Sequence, residues 1–289
     1  MKKLVAMLLI LSVLLCSPVL AEQEHTVAAS FYPIWVLAQN LLTGIDDISL
    51  ICLAAPTTGC LHDYQLLTGD IRTLHHCDAL LLCGAGMEGY LSDVVSQCPQ
   101  LVLIDSSTGI DLLPSESGET EFNAHLWLDP MNAEQMVKNM VEGLTVLFPE
   151  QEETITANLN IYCEKLEKLD SDIREQLSSV SRRDMITFHE AFPYFARAYG
   201  LNVPAVVALE PEESISPRML SELVKTVKEY QNPPLFVEPQ YGTSPAETVS
   251  RETGAPIFEL DPLVTGDGTP ESYIEGMYKN LEVLLEALK

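Results

Sequence analysis

Apolar and polar positions along the chain follow two alternating patterns. Short runs of apolar residues, typical of buried parallel strands, are each followed by a segment whose apolar residues recur every three or four positions, which is typical of a helix. In the first half this pattern predicts strands at residues 26–31, 48–53, 79–83 and 101–105, and helices at 33–42, 69–76, 88–97 and 131–148. A loop rich in Ser, Gly and Glu, residues 106–124, precedes the last of these helices.

The second half of the chain repeats the alternation. It predicts strands at residues 185–188, 204–209, 235–237 and 257–260, and helices at 190–199, 217–230, 245–253 and 270–288. Gly200 is suited to ending the first of these helices, and Ser216 and Ser244 are suited to capping the next two. Strands that alternate with helices indicate an α/β fold, so we expect two similar lobes, each a mainly parallel sheet flanked by helices.

Residues 151–180 interrupt the alternation with one long helical pattern that contains neither Gly nor Pro. Its apolar residues form a single stripe at steps of three and four: Leu159, Tyr162, Leu166, Leu169, Ile173, Leu177 and Val180. A surface helix of one domain would show the same stripe. Because the α/β pattern restarts directly after it, we favour one long backbone helix, 151–180, between an N-terminal lobe at 22–150 and a C-terminal lobe at 181–289.

Residues 1–21 have the pattern of a secretory signal peptide. Two lysines precede an apolar stretch, and residues 19–21 provide a small-residue cleavage site, which places the mature N-terminus near Glu22. A lipid anchor at Cys16 is the alternative, although the leucine before it fits a lipid-attachment site poorly. We therefore expect an exported protein, in the periplasm or at the outer face of the cytoplasmic membrane.

The net charge of the chain excludes some classes of binding partner. The formal net charge is −26, so the surface repels nucleic acid and anionic lipid headgroups and favours a cationic ligand.

Export permits disulfides. Cys52 and Cys60 flank a short loop and are the first pair to test, with buried free thiols as the alternative. The cysteines that follow the leader are Cys52, Cys60, Cys77, Cys83, Cys98 and Cys163.

Four side chains able to bind a metal follow predicted strands. They are His62 and His125 in the first half, and His189 and Asp261 in the second. Ligands of open α/β sheets bind beyond the carboxyl ends of the strands, and a site shared by both halves would lie in the cleft between the lobes. Three imidazoles and one carboxylate suit tetrahedral zinc, whereas Mg and Ca prefer oxygen ligands.

His125 stands directly ahead of a well-marked helix start. Asp129 is suited to the N-cap and Pro130 to the first helical position. We expect this rigid segment to lie outside the core and to present His125 as a ligand. Each candidate also has a structural interpretation, because a single His near a strand end can be a hydrogen-bonded core residue, and Asp261 before a proline can start a turn.

Ordered motifs across nearly the whole mature chain resemble the zinc/manganese-type substrate-binding proteins of ABC transporters. The chain departs from the family pattern at Leu61, where a proline is usual, and its loop before His125 lacks the histidines common in zinc members. The matching motifs are Ala29-Ser30-Phe31-Tyr32-Pro33, Cys60-Leu61-His62-Asp63-Tyr64, His125-Leu126-Trp127-Leu128-Asp129-Pro130, Phe188-His189-Glu190-Ala191-Phe192, Glu238-Pro239-Gln240 and Leu260-Asp261-Pro262-Leu263.

The resemblance implies that His62, His125, His189 and Asp261 hold the metal and that the long helix limits motion between the lobes. It implies a monomer without catalytic activity that captures zinc, with Mn²⁺ as the second candidate, and delivers it to the membrane permease of an ABC metal transporter. His189 favours zinc because manganese-type members tend to have Glu there. A manganese-binding member, an adhesin of the same family and an exported zinc-dependent hydrolase are the alternatives. The hydrolase is disfavoured because the H-E-x-x-H pattern begun at His189 lacks its second His.

Overall fold

The computed structural model describes residues 25–58, 61, 64, 66–116, 120–207 and 215–289. The predicted leader, Cys16, Cys60 and His62 lie outside the described residues, so the expectations about them stay predictions. Within the described ranges, no helix is long and apolar enough to cross a membrane.

Two parallel sheets organise the described residues, one in each half of the chain. Both have the same strand order, β2-β1-β3-β4 in the first lobe and β6-β5-β7-β8 in the second. This repeat confirms the predicted α/β fold with two similar lobes. The strands are β1 (His25–Ala29), β2 (Ile48–Cys52), β3 (Ala79–Leu82), β4 (Val102–Asp105), β5 (Asp184–Thr187), β6 (Asn202–Val206), β7 (Leu235–Val237) and β8 (Ile257–Glu259).

Helices connect the strands and flank the sheets. They are α1 (Tyr32–Leu41), α2 (Thr68–Leu74), α3 (Ser92–Val95), α4 (Pro130–Leu147), α5 (Glu152–Leu177), α6 (Pro193–Tyr199), α7 (Pro217–Glu229), α8 (Ser244–Thr253) and α9 (Ser272–Ala287). Most bounds lie within a few residues of those predicted. Gly200 ends α6 in the left-handed conformation, and the Ser216 side chain caps α7 by accepting the Met219 N–H, both as predicted.

The central strands are buried on both faces. In β1, Val27, Ala28 and Ala29 have no exposed surface, and Ala28 pairs with Leu80 of β3, which is equally buried. Near-continuous apolar runs are expected for strands that have helices on both sides. Because the strands themselves are covered, side chains that bind a ligand are expected beyond the carboxyl ends of the strands.

The long helix α5 has 26 residues and packs against both halves of the chain. It contacts α1 and α4 of the first lobe and α6 and α9 of the second. Its buried residues reproduce the predicted stripe and belong to one apolar cluster that runs from Val27 to Leu288. The buried residues of α5 are Ile155, Tyr162, Leu166, Leu169, Ile173 and Leu177.

Two predicted helices begin later than expected because an acidic side chain at their start binds elsewhere. Glu88 turns back onto β3, where its carboxylate accepts hydrogen bonds from Ser30 Oγ at 2.7 Å, Cys83 N at 2.7 Å and Gly84 N at 3.1 Å. Only a 3₁₀ turn at Gly89–Leu91 and the short α3 follow. The helix predicted at 190–199 starts instead at Pro193, and Glu190 contacts the loop that precedes His125.

Two smaller differences concern the second lobe. The strand predicted at 204–209 is β6, which starts at Asn202 and ends at Val206. Ser244 is the first residue of α8 rather than its cap, and Thr243 precedes it and donates a side-chain hydrogen bond to Glu247.

No disulfide joins two of the described cysteines. The Cys52–Cys60 pairing stays a prediction.

Because α5 packs against both lobes, a substitution on its buried face should destabilise both lobes. Leu166 is fully buried in the common cluster, so Leu166→Ala should lower the free energy of unfolding by about 2–5 kcal/mol. Both lobes should lose this stability together, measured by urea unfolding followed with a probe in each lobe. Ile161→Ala on the same helix is the matched control, because Ile161 is 56% exposed. Equal losses in the two variants would contradict the assignment of the buried face.

The buried carboxylate of Glu88 should make the free energy of unfolding depend on pH. Burial raises the pKa of Glu88 from 4.5 to about 7, the charge of Asp105 adds to the rise, and the three hydrogen bonds oppose it. Between these values the folded chain holds a proton that the unfolded chain has released, so the free energy of unfolding falls as the pH rises through this window.

Glu88→Gln removes this titration. The stability of the wild-type chain relative to Glu88→Gln should therefore fall by about 3 kcal/mol between pH 5 and pH 8, measured by chemical unfolding at each pH. Glu153→Gln, an exposed position, controls for the loss of one negative charge. A difference between wild type and Glu88→Gln that does not change with pH would refute the prediction.

Candidate metal site

His125 lies where the chain leaves an irregular loop and enters α4. A short antiparallel bridge between Pro114 and Phe122 closes the loop, and a 3₁₀ turn at Leu126–Leu128 leads into the helix. The predicted helix start is confirmed, because the Asp129 side chain accepts the Met131 N–H at 2.9 Å and a proline follows it. The expectation that this segment lies outside the core was wrong. His125 is only 2% exposed, and its neighbours on both sides are buried.

Asn123 holds the His125 ring and main chain. Its Oδ1 accepts the His125 N–H at 2.9 Å and lies 3.2 Å from His125 Nδ1, while its Nδ2 donates to the carbonyl of Glu190 at 2.7 Å. These contacts fix the orientation of the amide. Because the facing atom is an acceptor, Nδ1 is the ring nitrogen of His125 that donates to it.

His189 follows β5 and is oriented in the same way by a different partner. Its Nδ1 lies 2.9 and 3.0 Å from the two carboxylate oxygens of Glu238, which follows β7 and is 4% exposed. A carboxylate that faces an imidazole nitrogen fixes the tautomer and increases the basicity of the opposite nitrogen. The contact with Glu238 therefore fixes the orientation of the His189 ring.

The two lobes bring these histidines together. The ring centroids of His125 and His189 lie 4.9 Å apart, with an interplanar angle of 86°. Trp127 and Tyr241 contact the pair from either side, at ring distances of 5.2 Å to His125 and 5.3 Å to His189. We call these two adjacent imidazoles, each with its Nδ1 facing an acceptor, the histidine pair.

Asp261 is held at the carboxyl end of β8, next to β7. Its main chain is fixed by Asn280, whose Oδ1 accepts the Asp261 N–H at 2.9 Å and whose Nδ2 donates to the Asp261 carbonyl at 2.7 Å. The indole N–H of Trp127 donates to the carbonyl of Pro262 at 2.8 Å, which ties the His125 segment to the Asp261 segment. The structure thus connects three of the predicted ligands through short chains of contacts.

The described residues do not complete a metal shell. Across the part of the chain that the structure describes, no group of three or more His, Cys, Asp or Glu side chains is arranged so that it could hold a metal ion. His62, the remaining predicted ligand, lies outside that part. The assignment of His62, His125, His189 and Asp261 as the ligand set stays a prediction.

Sequence reasoning missed the residues that orient the histidines. Glu190 anchors the loop before His125, since its carboxylate accepts hydrogen bonds from Ser115 Oγ at 3.0 Å and from Glu116 N at 2.5 Å. Tyr194 adds a second anchor by donating to the Asn123 carbonyl at 2.7 Å. The only sequence signal for Glu238 was the motif Glu238-Pro239-Gln240. Spacing along the chain could not show that this carboxylate contacts His189.

The profile of a family described as zinc-uptake complex component A, periplasmic (ZnuA), matches residues 27–287. The chain belongs to the ZnuA family. This family is one of zinc-uptake components and not of enzymes, and its description is periplasmic. The resemblance inferred from the motifs is therefore confirmed.

Among curated relatives of this ZnuA-family chain, zinc-binding protein AdcA of Streptococcus pyogenes serotype M6 is 30% identical over 319 residues. That match covers 98% of this chain and 61% of AdcA, so the chain spans about three fifths of the relative's length. A crystal structure of a ZnuA deletion mutant with zinc bound superposes with a TM-score of 0.81 at 25% identity, covering 92% of this chain and 98% of the other.

A second solved structure gives the same result. The Zn(II)-bound ZnuA-like domain of Streptococcus pneumoniae AdcA has a TM-score of 0.78 and 26% identity, and the match covers 92% of this chain and 99% of that domain. Both likenesses extend over the two lobes and the long helix, so the family fold accounts for nearly all of the described chain.

The geometry at His189 predicts a role for its carboxylate partner. Glu238→Gln keeps the side-chain shape but removes the negative charge that faces Nδ1, so zinc affinity should fall about 10- to 100-fold without unfolding. Competition titration with a zinc chelator measures the change. Glu259→Gln is the control, an exposed carboxylate at the end of the adjacent strand. Equal zinc affinities for the two variants would contradict the role of Glu238.

Proposed function

We propose that this protein is the extracytoplasmic solute-binding component of a metal-uptake system. It captures a divalent transition metal, zinc before manganese, and delivers it to the membrane permease of an ABC transporter. The observation that carries this proposal is the histidine pair, in which two imidazoles lie 4.9 Å apart and the Nδ1 of each faces an acceptor.

The proposed ligands are His62, His125, His189 and Asp261. Three imidazole nitrogens and one carboxylate oxygen match the ligands and tetrahedral number that zinc prefers. Manganese takes more oxygen ligands and a higher coordination number, so it is the second candidate. The metal is the cargo of the protein rather than a structural part of it.

The relatives support zinc as the cargo. AdcA of Streptococcus pyogenes is named as zinc-binding, and the two solved structures at 25% and 26% identity contain zinc. The chain spans only part of AdcA, so cargo and partner are transferred to it as a proposal. The acidic surface, with a net charge of −26, supports attraction of a cation.

The proposed organisation follows the sequence prediction. An exported chain begins near residue 22, with lobes at 22–150 and 181–289 joined by the helix at 151–180, and it acts as a monomer outside the cytoplasmic membrane. The family description is periplasmic, and AdcA of Streptococcus pneumoniae is named a lipoprotein, which supports either form of export. A complete shell of four protein ligands leaves no position for a reactive water, which argues against hydrolysis.

The test of this proposal is removal of one member of the histidine pair. His125→Ala should weaken zinc binding by orders of magnitude, measured by competition titration on protein stripped of metal. Because His125 is buried, His125→Asn is made in parallel to keep a polar side chain of smaller volume, and thermal melting without metal verifies the fold of both.

His76→Ala is the matched control, because His76 is exposed and lies beyond α2, at the other end of the sheet. Elemental analysis of the exported protein and a competition series of Zn, Mn, Fe and Ni identify the cargo. Zinc affinity that is unchanged in folded His125 variants would overturn the site, and manganese bound in preference to zinc would overturn the cargo.

A further inference from the structure

The two carboxylate oxygens of Asp261 have different surroundings. Oδ1 accepts the Leu263 N–H at 2.8 Å and lies 3.4 Å from Gln240 Nε2. Among the described residues, Oδ2 has no hydrogen-bond partner. One oxygen is thus held by two N–H donors, and the other has no such restraint among the described residues.

Gln240 is placed to maintain this difference. It lies two residues beyond Glu238, and its Nε2 donates both to Asp261 Oδ1 and, at 3.2 Å, to Thr265 Oγ1. Its Oε1 is buried and has no hydrogen-bond partner among the described residues. Because a carboxylate oxygen only accepts, the amide nitrogen is the atom that faces it. A carboxylate that rotated to present both oxygens to a metal would lose its N–H donors.

The main chain cannot rotate to compensate. Asn280 is 4% exposed and binds both the N–H and the carbonyl of Asp261. The Leu263 N–H donates to the Asp261 carboxylate two residues before it, which closes a tight turn, and Leu263 itself has a positive φ of 59°. The hydrogen bonds from Gln240 and Leu263 to Oδ1 oppose rotation of the Asp261 carboxylate.

We propose that Gln240 is a positioning residue that makes Asp261 a one-oxygen ligand and thereby favours zinc over manganese. This inference rests on the proposed function, because it takes Asp261 as a ligand. Three imidazoles and one carboxylate oxygen make the four ligands of tetrahedral zinc. A second oxygen from Asp261 would raise the coordination number, which suits manganese better.

The test is Gln240→Leu in the full chain, with Gln100→Leu, at an exposed position, as the matched control. Zinc and manganese affinities are measured separately by competition titration. Gln240→Leu should reduce the ratio of zinc to manganese affinity about 10-fold or more, in the range seen when a residue that orients a ligand is lost. Gln240→Glu, which cannot donate to the carboxylate, should shift the ratio in the same direction.

The Co²⁺-substituted protein provides a spectroscopic readout that a loss of packing alone would not change. Wild type and Gln100→Leu should show the intense visible absorption of four-coordinate Co²⁺, and Gln240→Leu the weaker bands of a higher coordination number. An unchanged affinity ratio and spectrum, or equal losses for both metals, would overturn the role of Gln240 and leave the proposed function intact. A wild-type chain that binds neither metal would instead overturn the proposed function.

Discussion

The burial of one face of α5 is the interaction on which the rest of the structure depends. This helix contacts α1 and α4 on one side of the molecule and α6 and α9 on the other, and its apolar residues join a single cluster that extends through both lobes. A continuous core opposes large rotation of one lobe against the other, since rotation would expose apolar surface at about 25 cal/mol per Å². The lobes therefore hold their facing edges at a nearly fixed separation.

The candidate site uses that fixed separation. Each histidine of the pair is held by a polar neighbour, His125 by Asn123 and His189 by Glu238. Asn123 also donates to Glu190, which follows His189, so one amide links the two ligand segments across the cleft. Both rings are thus oriented by the protein's own side chains, and preorganisation of this kind lowers the ordering cost of binding a ligand.

Prediction from sequence succeeded where the determining contacts are local. The Asp129 cap, the Gly200 stop and the apolar stripe of α5 depend on residues within a few positions of each other, and all are present. Prediction failed where a distant partner decides the conformation. Glu88 and Glu190 have good helix propensity, but each binds groups far along the chain, and the pairing of Glu238 with His189 spans 49 positions. The burial of His125 was missed for the same reason.

The adjacency of His189 and Glu190 has a mechanical consequence. The His189 ring contacts the His125 ring, and the Glu190 carboxylate accepts hydrogen bonds from Ser115 Oγ and the Glu116 N–H. One peptide bond thus separates the residue that carries the ring from the residue that holds the loop. A displacement of this loop would act on the backbone of His189 through Glu190. It would also act on His125 through Asn123. The loop is therefore mechanically coupled to both imidazoles, so a contact that displaces it would change the orientation of both rings.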